Sequence, residues 1–308
     1  MLRAFSCKNN KLEEVDFSTL GKKFCWIDAE DPTQEEVELL KQRFGFHPLA
    51  LEDATTEQRS KLDDYGNYLF LVASFPTETS ARAQLSFFLG QNYLVTIHKG
   101  KSRIVESIVE RYKKNPKLLQ HGFDFLVYQQ LDTLSDELSP LLEKLEDQVD
   151  EIEDKVIKNP DPQTLAQMFE LRKNLFEIRK LLWPLRDLLS SLSKQESKFL
   201  KRRTMLHLRD VHESLIRATE FLDTLRERMT LAAESYFSSV STGLNLVMKK
   251  LTSIMAILMI PTLIAGVYGM NFSFMPELQW KYGYFFTLGL MIGVALLLLL
   301  YFRRKRWL

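Results

Sequence analysis

The sequence predicts an α+β membrane protein: an α/β amino-terminal domain, a long helical stalk and two carboxyl-terminal transmembrane helices. Three observations lead there. Short β-rich runs fill the first part of the chain, apolar residues then recur at helical spacing, and two uncharged runs, 251–275 and 282–302, close it. Each uncharged run can cross about 30 Å of hydrocarbon as a helix of about 20 residues. The expected domains are 1–122, 123–250 and 251–308, the last with an outer loop at 271–281.

In the first domain, β-rich runs lie at 24–28, 68–75, 84–89 and 93–98, and Gly90-Gln91-Asn92 joins the last two as a hairpin. Asp31-Pro32-Thr33 opens a helix, with Pro one place after a capping Asp. No P-loop, glycine-rich phosphate loop or nucleophile elbow is present, so enzyme chemistry has no visible home. Residues 1–17 mix charges with few apolar positions and lack the core of a signal peptide, which keeps this domain in the cytoplasm. Cys7 and Cys25 form no zinc-type spacing and read as ordinary thiols in a reducing compartment. A formal net charge of +1 gives no reason to expect a nucleic-acid partner.

From Asp124 onward the pattern is helical. Residues 132–154 are acidic with Lys144 the only base, whereas 172–203 are strongly basic. Two solvated faces and two complementary helices packed antiparallel both fit that split. Asn159-Pro160-Asp161-Pro162 separates the two helices. Beyond them a heptad seam runs through Leu208, Val211, Leu215, Ala218, Leu222, Leu225, Met229, Ala232 and Tyr236 and continues into the first span without a break. An intramolecular bundle would bury such a seam. A helix longer than the soluble domain is wide nonetheless calls for copies of itself, so a homo-oligomer is expected.

Lys249 and Lys250 precede the first span and Arg303, Arg304, Lys305 and Arg306 follow the second. Positive-inside bias therefore places both ends of a two-pass protein in the cytoplasm. Trp280, Tyr282 and Tyr284 at the outer edge and Trp307 at the inner one suit headgroup depth in the lipid bilayer.

Extending the seam into the membrane produces a face with Asn245, Met248, Leu251 or Thr252, Met255, Met259, Thr262 and Gly266, ending at Asn271. The methionines could be lipid-facing or gap-filling. As a set, the face has what a symmetric pore needs: neutral oxygens where an ion rests and an apolar constriction that closes by dewetting. Between Leu251 and Phe302 the only full charges are Glu277 and Lys281, so no carboxylate within the spans can replace the water of a divalent ion. Mg²⁺ dehydrates reluctantly, and such a pore passes it largely hydrated. Asn271 carbonyls would accept hydrogen bonds from the ion's waters, with Gly269 permitting the backbone turn that aims them inward. The plainer alternative is a Gly-Met-Asn helix cap.

Tyr268-Gly269-Met270-Asn271-Phe272, followed by Met275-Pro276-Glu277-Leu278 and a second span with a basic tail, resembles the CorA family of magnesium channels. Trp26-Ile27-Asp28, the run from His47 to Asp53, the run from Asp64 to Phe70, and Leu182-Trp183-Pro184-Leu185-Arg186 extend the resemblance over nearly the whole chain. It implies a homopentameric funnel in a prokaryotic inner or plasma membrane, with first spans lining the pore and second spans facing lipid. Gly269, Met270 and Asn271 then match the selectivity filter, and Glu277 would concentrate divalent cations at the entrance. Asp210 resembles a regulatory carboxylate that holds cytosolic Mg²⁺ with an acidic residue of a neighbouring subunit and keeps the channel shut. Glu78 is the only acidic candidate within 73–83 for that partner.

Two other readings compete. A transition-metal carrier for Co²⁺, Ni²⁺ or Zn²⁺ would stay within the family, but a zinc path calls for His or Cys, and none occurs after His212. A membrane-tethered coiled-coil scaffold explains the heptads and leaves Asn271 and Glu277 without a role.

Overall fold

Runs of apolar and β-branched residues form the first layer. The computed structural model describes residues 1–8, 11–15, 17, 25–77, 82–158, 160–194, 197–271 and 275–308. Seven strands, β1 (Leu2–Lys8), β2 (Lys11–Val15), β3 (Cys25–Glu30), β4 (Lys61–Asp64), β5 (Leu69–Phe75), β6 (Ala83–Leu89) and β7 (Tyr93–His98), make one sheet ordered β2-β1-β3-β7-β6-β5-β4. Only the central β3–β7 pair is parallel. The expected runs at 68–75, 84–89 and 93–98 are β5, β6 and β7, and Gly90 closes their hairpin by donating to Tyr93 O at 3.0 Å. For the run at 24–28, Phe24 lies outside the described residues, and the strand extends to Glu30.

Alternation divides the sheet into two faces. Ile27, Ala29, Phe70, Val72, Phe88, Val95 and Ile97 pack against Leu40 of α1 (Gln34–Phe44) and Ala50, Leu51 and Ala54 of α2 (Pro48–Thr55). The N-cap of α1 is Thr33 rather than Asp31. Thr33 Oγ1 accepts from the Glu36 amide at 3.3 Å while Glu36 Oε2 accepts from the Thr33 amide at 2.9 Å, a reciprocal capping box that the Thr-x-x-Glu spacing supplies.

The opposite face contains Trp26, Asp28, Thr96 and His98, all buried. Trp26 Nε1 donates to Thr96 Oγ1 at 3.1 Å. Asp28 Oδ2 accepts from Arg3 Nε at 3.1 Å and Nη2 at 2.5 Å, and Asp28 Oδ1 faces His98 Nε2 at 3.1 Å. The other ring nitrogen, Nδ1, faces the Gly100 carbonyl at 2.7 Å. Both partners of that ring are acceptors, so both nitrogens donate and His98 is an imidazolium. Burial pulls the His98 pKa down, but the hydrogen bond and charge of Asp28, with the Gly100 carbonyl, outweigh it and raise the value. One carboxylate between two cations thereby ties β1, β3, β7 and the following turn together. Cys25 is also buried, which pushes its thiol up to about 11 and leaves it protonated and unreactive.

Three long helices follow α3 (Arg103–Lys114): α4 (Phe123–Lys158), α5 (Pro162–Lys194) and α6 (Arg202–Tyr268). At 67 residues and 1.5 Å per residue, α6 is about 100 Å long. The chain divides into two compact units, Met1–Glu153 with Ala166–Leu231, and Asp154–Leu165 with Ala232–Leu308. In the first unit, Leu208, Val211, Leu215, Leu222, Leu225 and Met229 of α6 are buried, as are Leu134, Leu138, Leu145 and Val149 of α4 and Leu171, Leu175, Leu182 and Leu185 of α5. In the second, Ala232 and Tyr236 are buried too. The chain itself thus covers this stretch of the seam, so the seam does not require the copies that its length suggested.

Cross-helix ion pairs run to α6. Arg228 reaches Glu153 of α4 at 2.5 Å, Asp150 and Glu146, and Arg179 of α5 meets Asp223 of α6 at 2.8 Å. Arg228 of α6 thereby gives the acidic helix a cation from another element of the bundle. In the second unit, α6 passes through Pro261, and α7 (Gly283–Arg304) follows a short 3-10 turn, Pro276–Gln279. Both α6 and α7 are long and apolar enough to cross a membrane.

Candidate functional site

The site is built on the last turns of α6, where a face of medium-sized apolar side chains is left uncovered by its own chain. Met248, Leu251, Met255 and Met259 are 58%, 45%, 59% and 70% exposed, against 0–2% for the seam positions 208, 211, 215, 222, 225 and 229 of the same helix. Asn245, Thr252, Thr262 and Gly266 are exposed as well. A groove of about 670 Å³ follows this face and brings Met255, Met259, Thr262 and Gly266 together with Leu258 and Met270. No full charge occurs among those residues. Thr262 Oγ1 donates its proton back to Leu258 O at 2.8 Å, which leaves its oxygen lone pairs to accept from water.

The helix ends tightly. Gly269 donates to Ala265 O at 2.9 Å and Met270 to Val267 O at 3.3 Å. Gly269 is not among the glycines at positive φ, so the turn that ends the helix here is made without a left-handed residue. Its requirement is close approach: a Cβ there would lie 3.1 Å from Ala265 O. Asn271, the next residue but one, is exposed at the end of the α6 face. Residues 272–274 lie outside the described residues. Glu277 falls in the Pro276–Gln279 turn, and its side chain is outside the described residues.

Aromatic rings mark both ends of α7. Trp280, Tyr282 and Tyr284 are exposed at its start, with Trp280 packed on Phe286 at 5.4 Å. At its finish Trp307 stacks on Phe302 at 5.6 Å beside Arg303 to Arg306.

Asp210 is exposed on α6, and Glu78 lies outside the described residues. The structure gives Asp210 neighbours that sequence reasoning missed. Burial raises the Tyr128 pKa, and the negative charges of Asp132 and Asp210 raise it further. Tyr128 stacks on His207 with ring centroids 5.0 Å apart. Asp132 is itself raised by burial and then by the charge of Asp136. A partly buried carboxylate such as Asp132 is relieved by a cation, and hard oxygen donors suit Mg²⁺. Among the described residues no group of three or more His, Cys, Asp or Glu side chains is placed to hold a metal by itself. The available signal was the start of the acidic run at Asp132, but that Asp132 and Asp210 both act on Tyr128 is a tertiary fact.

Comparison with known proteins gives concordant results. A family model described as CorA-like Mg2+ transporter protein matches residues 21–304. The chain is 35% identical over 302 residues to YfjQ of Bacillus subtilis, covering 97% of this chain and 94% of that one. It is 36% identical over 279 residues to the cobalt/magnesium transport protein CorA of Thermotoga maritima, covering 88% and 80%. The complete structure of the CorA magnesium transporter from Methanocaldococcus jannaschii superposes with a TM-score of 0.90 at 25% identity, over 100% of this chain and 99% of that one.

Proposed function

This chain belongs to the CorA-like Mg²⁺ transporter family, and from that premise we propose how its own residues move the ion and stop it. It is a membrane transporter of divalent cations, not an enzyme. The carrying observation is the uncharged, exposed α6 face that runs from Asn245 to Asn271.

Copies of the chain assemble with these faces inward, as a homopentamer on the family resemblance. The apolar exposure of the α6 face supports assembly, because the chain's own helices leave it bare. Both termini lie in the cytoplasm of a prokaryotic cell, as the Lys249-Lys250 and Arg303–306 flanks favour. Mg²⁺ enters passively. Asn271 carbonyls, one per copy, accept from the waters of the hydrated ion, and Gly269 and Met270 hold the turn that positions them. Glu277 raises the local cation concentration at the mouth. Below the filter, Met248, Leu251 and Met259 make the constriction, which no polar side chain keeps wet, and Thr252, Met255, Thr262 and Gly266 line the rest.

Cytosolic Mg²⁺ closes the pore through Asp210. Asp132, beside it across Tyr128, is the carboxylate on the same chain, and a neighbouring copy supplies the remainder. Repulsion between these groups opens the stalk when the ion leaves. A second reading, Co²⁺ as cargo, is favoured by the cobalt/magnesium description of the Thermotoga maritima relative; Ni²⁺ rests on resemblance alone.

The deciding experiment is flux. Purified protein in vesicles containing a Mg²⁺-sensitive dye should admit Mg²⁺ down its gradient, and Co²⁺ supplied in its place measures the second reading. Vesicles with correctly inserted protein that admit neither ion would sink the proposal.

A further inference from the structure

Remote from the ion path, the first unit contains a cavity of about 530 Å³ bounded by the end of α2, β6, β7, the start of α3 and the middle of α4. From its walls we infer a binding site for a ligand with a phosphate chain and the size of a nucleotide.

The first argument is charge without partners. Lys99, Lys101 and Arg103 line the cavity and are exposed, and among the described residues none makes a hydrogen bond or ion pair. Arg3, Arg179 and Arg228 of the same unit are each engaged by a carboxylate, whereas Lys99, Lys101 and Arg103 crowd one cavity mouth without one among the described residues. Arg82 adds a fourth cation to the wall, partly offset by Glu57 at 3.7 Å. Glu57 and Glu137 are the acidic residues of the lining, so positive charge is in excess.

The second argument is the backbone. The α3 helix has 12 residues, and its N-cap Ser102 satisfies two amides: Ser102 Oγ accepts from Val105 N at 3.4 Å and Ser102 O from Glu106 N at 3.0 Å. The amides of Arg103 and Ile104, both cavity residues, have no acceptor among the described residues. Free amides at the positive end of a helix dipole, beside unpaired cations, favour an anion. Asp31 Oδ2 takes the Gly100 amide at 2.9 Å, which removes that one donor from the set.

Topology and size specify the ligand further. The cavity lies at the carboxyl end of β7, one of the two parallel strands, where a Gly100-Lys101-Ser102 turn leads into α3. Crevices beyond the carboxyl ends of parallel strands are where α/β sheets hold ligands. The volume lies within the range of about 300–1,000 Å³ typical of organic ligands, which a lone phosphate would leave mostly empty. Phe75, Leu85, Ile104 and Pro140 give it apolar surface for a base. His98 completes the wall as an imidazolium whose charge is already shared with Asp28.

The test uses the full-length protein in detergent without divalent ions, titrated with ATP by calorimetry and with tripolyphosphate, inorganic phosphate and adenosine as competitors. ATP should bind saturably and more weakly at high salt, tripolyphosphate should displace it, and inorganic phosphate and adenosine should compete poorly. Lys101→Glu combined with Arg103→Glu should weaken ATP by about tenfold or more, the loss expected for removed charge-assisted contacts. Lys101→Arg with Arg103→Lys should keep it, as should Lys113→Glu at the other end of α3. Absence of saturable ATP binding, equal affinity in the double Glu variant, equal loss in Lys113→Glu, or inorganic phosphate binding as tightly as ATP would each overturn the site.

Discussion

Two stretches of one helix have the same spacing of apolar residues and opposite surroundings. From Leu208 to Met229 the buried α6 seam faces α4 and α5 of its own chain, whereas from Met248 to Met259 the exposed positions are left uncovered by the described residues. The contrast shows that periodicity announces a face to be covered without saying by what. Where the chain supplies the cover, the residue is structural. Where it does not, the cover is lipid, another copy, or water and an ion.

The sharpest way to break that contrast is at its polar end. Asn271→Ala should reduce Mg²⁺ flux in vesicles to background while assembly measured by gel filtration is unchanged, because it deletes acceptors and no packing. Full flux through the inserted variant would end the filter assignment.

A second pair of changes compares the two stretches directly. Leu222→Ala opens a cavity in the bundle and should cost about 2–5 kcal/mol of stability in thermal or denaturant unfolding. Met259→Ser removes nothing that the single chain packs, so it should leave unfolding of the stalk unchanged and raise flux at high internal Mg²⁺ by wetting the constriction. Similar destabilisation by both would mean that the exposed face is packed after all.

A smaller effect is expected from Asp210→Lys, which should replace the bound cation with a tethered one. Limited proteolysis in a chelator should then show the protection that wild type acquires only with Mg²⁺, from a coupling of about 1–3 kcal/mol per site. A variant as sensitive as metal-free wild type would remove Asp210 from regulation.

The smallest effect separates the sheet from the pore face by pH. The folded His98 pKa is raised above the unfolded value of about 6.5. Its contribution is therefore complete below about pH 6.5 and is lost as pH rises through the raised folded value. Unfolding temperature should fall on that alkaline side, and His98→Gln should flatten the dependence. With the proposed Asn271 filter, which involves no titrating group within the spans, ion selectivity should be unaffected over the same range.

What was legible in the sequence follows the same division. The runs at 68–75 and 93–98 read as strands because nearly every side chain in them is buried on one face or the other. Strands β1, β2 and β4 did not, because they are edge or near-edge strands with polar composition, held by pairing that has no local signature. The two apolar spans were visible as local absences of charge. Asp31 beside Pro32 reads as the helix cap, although Thr33, with Glu36 three places on, marks the true one. At Gly269 the sequence shows a turn residue, but that a Cβ there would lie 3.1 Å from Ala265 O is visible only in the fold. Asp210 and Asp132, far apart in sequence, both act on Tyr128, and only the tertiary fold brings them to it.

Pro261 gives α6 a mechanical weak point within the uncharged span. A proline ring has no N–H, so the carbonyl of Ile257, one turn earlier, loses its partner in the ladder. In hydrocarbon a bare carbonyl is costly, and it seeks water or a hydroxyl from elsewhere. The rod is consequently most compliant beside Met259, and bending there costs less than bending the stalk above.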